Sequence, residues 1–231
     1  TGNNLTLTNG VFSMNTMTVK AAALDIKVSA TPSAQSIVAG TQGFTFANIQ
    51  LDASQSGEDV RFSSIPLSLS ASGGATNVTA CQVFDGSTAL NTGSNVVNPT
   101  ATGNNTFTFD QSLIITKGTV KTLSVKCNVA SGATGTLAWG TNITAGTGNA
   151  PTVTGVTSSN EVADTVTNSA GQTMTVGSGS LVVSLDSSSP SYNVVAAGST
   201  GNTATVLKFR ATNEGVNLNK LGLKLTSGSS S

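Results

Sequence analysis

The feature that most constrains this chain is that it repeats itself at long range. Thr16-Met17-Thr18-Val19 returns as Thr173-Met174-Thr175-Val176, an offset of 157 residues. LDIKVSATPSAQSIVAG (24–40) is then answered by LVVSLDSSSPSYNVVAAG (181–198). Leu24, Ile26 and Val28 align with Leu181, Val183 and Leu185, and after one inserted residue Pro32 aligns with Pro190 and Gly40 with Gly198. Ile49-Gln50-Leu51-Asp52-Ala53 matches Leu207-Lys208-Phe209-Arg210-Ala211. The register then loses two residues, and Glu58, Val60, Phe62, Ile65, Leu67 and Leu69 match Glu214, Val216, Leu218, Leu221, Leu223 and Leu225. Apolar positions persist while outward ones drift. The spacing predicts a tandem array with a period near 157 residues: 1–20 as the last strands of one unit, 24–179 as a complete unit, and 181–231 as the first part of the next. The pattern begins and ends within a unit, which predicts a window on a longer protein.

Inside the unit the dominant signal is alternation with period two, the mark of half-buried strands. Leu123, Val125, Cys127 and Val129 alternate most cleanly. Phe44-Thr45-Phe46 changes parity to Ile49-Gln50-Leu51, and Val60-Arg61-Phe62 changes to Ile65, Leu67 and Leu69. One extra residue flips the facing of everything after it, so each switch predicts a β-bulge or a strand crossover. A strand is expected over 78–84, closed by Asp85-Gly86. Phe107-Thr108-Phe109 and Ile114-Ile115 are expected to flank a connection. No segment carries an apolar stripe at helical spacing. Eight to ten strands separated by Gly, Asn, Ser and Pro clusters predict an all-β fold built of tandem β-sandwich units.

Composition bears on function by exclusion. Lys+Arg 10 balance Asp+Glu 10, there is no His, and 9% of the 231 residues are charged. Phosphate binding needs surplus cationic charge, so a nucleic-acid partner is not expected. With 36 Thr, 31 Ser and 25 Gly the chain resembles disordered sequences at first sight. Yet it keeps its β-branched apolar residues and has no net charge, both contrary to disorder. The longest apolar runs are a few residues, too short for a transmembrane helix. Missing His removes the commonest general base and the usual metal ligand together, and the acids are scattered, so no catalytic residue is expected.

Cys81 and Cys127 are the only cysteines. Strand parity turns both toward the core, from different sheets on this reading, as a disulfide or as a buried thiol pair. A disulfide places the chain outside the cytosol. Asp52, Glu58 and Asp59 form the nearest acidic cluster and are the candidate Ca2+ ligands, against a reading as solvated turn residues. Asp25 and Asp186 are weaker candidates for a junction cation site. Four sequons place candidate N-glycans on Asn4, Asn77, Asn104 and Asn142. Trp139 and Tyr192 are a candidate sugar platform, with core packing the stronger reading for Trp139. Lys27 is a remote candidate for an isopeptide crosslink.

The phrases LVVSLDSSSPSYNVVAAG, FRATNEGVNLNKLGLKL and ITKGTVKTLSVKCNVASG resemble the repeated immunoglobulin-like β-sandwich modules of very large prokaryotic surface proteins, including S-layer and adhesin-type arrays. Trp139 follows Cys127 instead of lying between the cysteines, which departs from the antibody pattern. The resemblance implies an extracellular, cell-surface, non-catalytic structural protein whose partners are copies of itself in a lattice or filament, with cell-wall or glycan contact. The alternatives are an adhesin stalk or carbohydrate-binding module, or accessory domains of a larger secreted enzyme.

Overall fold

A computed structural model describes residues 15–141, 151–177 and 179–224. The alternating segments form strands in chain order: β1 (Ala23–Val28), β2 (Gln35–Val38), β3 (Phe44–Asp52), β4 (Val60–Ala71), β5 (Val78–Asp85), β6 (Thr88–Ala89) and β7 (Gly103–Ile115). They continue as β8 (Val120–Val129), β9 (Thr136–Gly140), β10 (Thr154–Gly155), β11 (Ala163–Val166), β12 (Met174–Gly177), β13 (Ser180–Leu185) and β14 (Leu207–Thr212). Helical structure among the described residues is confined to two 3-10 turns, Ala75–Asn77 and Gly93–Asn95. The fold is all-β, and no described helix is long and apolar enough to cross a membrane.

Strands β1 to β12 make two mixed sheets. One runs β11-β1-β3-β8-β5-β6; the other runs β10-β4-β9-β12-β2, with β7 also paired to β4. The chain starts on the first sheet in β1 and crosses to the second in β2, with Pro32 in the crossing. Residues 163–177 repeat that crossing, because β11 lies parallel to β1 and β12 lies parallel to β2. Side chains from both sheets share one core: Leu24, Ile26, Leu51 and Val125 from the first, Leu67, Phe107, Trp139 and Met174 from the second. Each such buried side chain contributes on the order of 2 kcal/mol relative to exposure. Trp139 is fully buried and meets Phe107 edge-to-face, with ring centroids 5.3 Å apart.

Both parity switches coincide with irregular pairing. In β3 the register against β8 shifts between Thr45 and Ala47, so Phe46 and Ala47 are both buried in sequence before Ile49 and Leu51 resume the core face. In β4 the register against β7 shifts between Phe62 and Ser64, ahead of the buried Ile65, Leu67 and Leu69. The connection expected between Phe109 and Ile114 is not one. β7 runs through it, and residues 109–112 bulge opposite a single residue of β4, since Phe62 pairs Leu113 while Ser64 pairs Thr108. Asp110 explains the bulge, because its backbone N–H turns away to donate to the Leu90 carbonyl at 2.7 Å.

β13 and β14 form a separate two-stranded antiparallel sheet. Its register matches that of β1 with β3. Ile26 faces Leu51 and Val28 faces Ile49 in one; Val183 faces Phe209 and Leu185 faces Leu207 in the other. These are the residue pairs that the sequence alignment equates. The likeness extends past the strands. Ser29 N–H donates to the Asn48 carbonyl at 2.8 Å, and Asp186 N–H to the Val206 carbonyl at 2.9 Å. Gly40 and Gly198 have φ of 89° and 82°, each in a turn where Thr41 or Ser199 bonds back, through N–H and hydroxyl, to the carbonyl three residues earlier.

Candidate functional site

The candidate Ca2+ ligands are carried to three different turns. Asp52 Oδ1 accepts the Ser54 N–H at 2.9 Å. Glu58 Oε2 accepts the N–H groups of Thr157 and Ser158 at 2.7 and 2.9 Å. Asp59 Oδ1 accepts the Lys117 N–H at 2.9 Å. Each carboxylate thus satisfies backbone donors of a turn, and no group of three His, Cys, Asp or Glu suited to a metal ion occurs among the described residues. Asp25 and Asp186 are also apart: Asp25 stands opposite Asp52 in the β1–β3 pairing, and Asp186 closes its own turn through the N–H and hydroxyl of Ser188.

These hydrogen bonds favour the charged carboxylates. The Ser54 side chain and N–H hold Asp52 below the usual carboxylate range, those of Ser158 do the same for Glu58, and the Thr92 and Asn95 side chains do so for Asp110. Each contribution to stability is complete above the unfolded-state pKa of about 4 and fades as pH falls through the depressed folded value. Asp164 acts in the opposite direction, because desolvation and the neighbouring Glu161 raise its pKa and its folded form gains as pH falls. Three lowered groups oppose one raised group in this unit, so the urea midpoint is expected to be lower at pH 3 than at pH 7. An Asp110→Asn variant is expected to flatten that dependence.

The most elaborate polar structure surrounds the disulfide. Cys81 and Cys127 are bonded, buried, and 4.1 Å apart at Cα. They lie on the paired strands β5 and β8 of one sheet, which corrects the expectation of different sheets. The reason is a bulge: Thr79 pairs Asn128 and Gln82 pairs Lys126, so Ala80 and Cys81 together oppose Cys127. The parity change from Val78 to Cys81 and Val83 was its sequence signal. Ala80 takes φ 49° in the left-handed region and donates its N–H to Asn98 Oδ1 at 2.8 Å. Cys81 exchanges both backbone hydrogen bonds with Val97, at 2.8 and 3.0 Å.

Asn91, fully buried, fastens this bulge to the following loop. Its Oδ1 accepts the Val83 N–H at 2.7 Å, and its Nδ2 donates to the carbonyls of Asn95 at 2.9 Å and Cys81 at 3.4 Å. Asp110 of β7, on the other sheet, accepts from Thr92 N–H, Thr92 Oγ1 and Asn95 Nδ2 at 3.1, 2.6 and 2.9 Å. The disulfide, Asn91 and Asp110 therefore lie on one hydrogen-bonded path between the sheets. A left-handed conformation costs an L-residue roughly 1–2 kcal/mol, partly offset in glycine by its greater unfolded-state freedom. Ala80→Gly is accordingly expected to raise stability by about 0.5–1 kcal/mol in urea unfolding.

Of the sequon asparagines, Asn104 is exposed on β7. Asn77 is buried, and its Nδ2, the atom a glycan would occupy, donates to the Thr134 carbonyl at 2.8 Å. In this fold that amide is engaged and turned inward. Its backbone enters the 3-10 turn Ala75–Asn77, and that turn draws the side chain inward. Asn4 and Asn142 lie outside the described residues. Trp139 belongs to the core and Tyr192 is 84% exposed, so they build no shared platform. Lys27 is exposed on β1 opposite Gln50.

What remains is an apolar surface. Leu181, Val183, Val195 and Phe209 are open to solvent, whereas their aligned counterparts Leu24, Ile26, Ile37 and Leu51 are buried in the core. Val216, Leu218, Leu221 and Leu223 are exposed where Val60, Phe62, Ile65 and Leu67 are buried. An open groove of about 290 Å³ is lined by Pro190, Tyr192, Asn193, Val195, Asn202 and Ala204. At the other end of the chain Met17 and Val19 are 90% and 96% exposed, while the aligned Met174 is fully buried. No protein-family model matches this chain, and no curated protein matches it.

Proposed function

We propose that the protein is a non-catalytic structural component of the cell surface: tandem immunoglobulin-like β-sandwich units, repeating near every 157 residues, that self-associate into a lattice or filament of S-layer type. The observation that carries this reading is the shared register of β13–β14 and β1–β3. A second hairpin with the pairing of the first, and with apolar side chains at the positions that form the first core, is the start of another unit of the same design.

The buried disulfide supports export to an oxidising compartment, where such bonds persist. Balanced charge supports close packing of copies, since like-charge repulsion is small when net charge is near zero. Carboxylates engaged as turn clamps support a structural role over chemistry. Electron microscopy of the purified chain, and of cell envelopes that carry it, is expected to show a regular lattice or fibre. Dispersed single particles under all salt conditions contradict the proposal.

A further inference from the structure

We propose that β7 pairs edge to edge, antiparallel, with β7 of a second copy of the chain, and so joins two units through one continuous sheet. The inference rests on the self-association reading above and names the contact that performs it. Strand length points to it. Among the described residues the outer strands β2, β6, β10 and β11 are 4, 2, 2 and 4 residues long, whereas β7 has 13 and pairs with β4 alone. Proteins keep a long open edge from joining other strands by charge, by proline or by a covering loop. Residues 103–109, GNNTFTF, carry neither charge nor proline, and no charged residue lies between Asp85 and Asp110. β7 lies well inside the unit 24–179.

The backbone of β7 is turned for this contact. Ser72 N–H donates to the Thr136 carbonyl at 3.0 Å, so the even-numbered residues of β4 from Pro66 onward bond toward β9 and the odd-numbered ones toward β7. Pro66 has no N–H and sits where β9 has already ended, which agrees with that assignment. Leu69, Leu67 and Ile65 therefore bond Gly103, Asn105 and Phe107, and the N–H and C=O groups of Asn104, Thr106 and Thr108 point off the sheet. All three side chains are exposed. A twofold axis at Thr106 sets that residue opposite its own copy and Asn104 opposite Thr108, each pair exchanging two hydrogen bonds. The open length suits the strand that fills it. Beyond it the Asp110 N–H is taken by the Leu90 carbonyl at 2.7 Å, and the opposing β7 has ended by then, because residues 100–102 bend before Gly103. The Asp110 carboxylates of the two copies fall at opposite ends of the pair, and threonines facing one another across strands are a favourable match. An edge that complements itself in this way selects a second copy as its occupant, by β-augmentation.

A glycan on Asn104 would occupy the same edge, so the test uses the full chain without sugar. Thr106→Cys chains, with the native disulfide closed, are oxidised, and the yield of covalent homodimer is measured against Val120→Cys, an exposed β8 position. A bonded antiparallel pair brings its Cα atoms within disulfide range, so the Thr106→Cys yield is expected to be at least about tenfold above that control. Thr106→Pro deletes both central hydrogen bonds and is expected to raise the dissociation constant in sedimentation equilibrium at least about tenfold. Thr106→Lys keeps the backbone donor, sets like charges face to face, and is expected to raise it at least about threefold with the urea midpoint unchanged. Association of Thr106→Lys as strong as that of the unmodified chain overturns the β7 pairing, and so does a crosslinking yield equal to the control while the unmodified chain still associates; either leaves self-association standing. A yield equal to the control together with a strictly monomeric unmodified chain overturns both.

Discussion

Replacing Cys81 and Cys127 together by alanine is expected to lower the stability by about 4 kcal/mol, the largest single effect in the molecule. The bond spans a separation of 46 residues. In the chain-entropy account, releasing a loop of that length restores roughly 13–14 cal/mol/K to the unfolded chain, or about 4 kcal/mol at room temperature. The released segment holds β6, the β7 bulge and the Asn91 loop. A typical domain has a net stability of about 5–15 kcal/mol, so the unit is left marginal. The check is the urea midpoint of the double variant against the oxidised wild type. A loss under about 1 kcal/mol is incompatible with a bond that restrains the unfolded chain.

The second large effect comes from Asn91. Asn91→Ala is expected to cost about 1–3 kcal/mol, because it strands the buried Val83 N–H, the cost of one unpaired buried group, while the part-buried Asn95 carbonyl loses its donor. The Cys81 carbonyl is not stranded, since it also accepts the Val97 N–H at 3.0 Å. Amide exchange discriminates this mechanism from a general loss of packing. Val83 is expected to lose protection in Asn91→Ala, while β1 and β3 amides, which do not pair with this loop, weaken only as much as the global stability. An unchanged urea midpoint excludes the role assigned to this side chain.

Strand positions were legible in the sequence because alternation records facing directly. Leu123, Val125, Cys127 and Val129 are all buried in β8, and the parity switches near Phe46 and Phe62 mark real register shifts. Pairing was less legible. Parity states which way a side chain points but not which sheet it belongs to, so the cysteines were expected on opposing sheets when a bulge at Ala80 brings them together within one. The polar residues were least legible. Asn91 is one Asn among many in turns, and only the fold reveals that it is fully buried between β5 and its neighbouring loop. Asp52, Glu58 and Asp59 are close in sequence, but the turn after β3 and the start of β4 aim them at separate backbone donors. Asn77 shows the same limit: its sequon is plain in the sequence, and its burial is a property of the 3-10 turn.

The central claim is that 181–223 holds core positions of a second unit, and that a protein built of such units associates with its own copies. Sedimentation equilibrium over a wide concentration range measures this most directly. The account predicts an apparent mass that rises with concentration toward multiples of the single chain. A constant monomer mass for the unmodified chain, up to concentrations far above those of cell-surface assembly, contradicts the account.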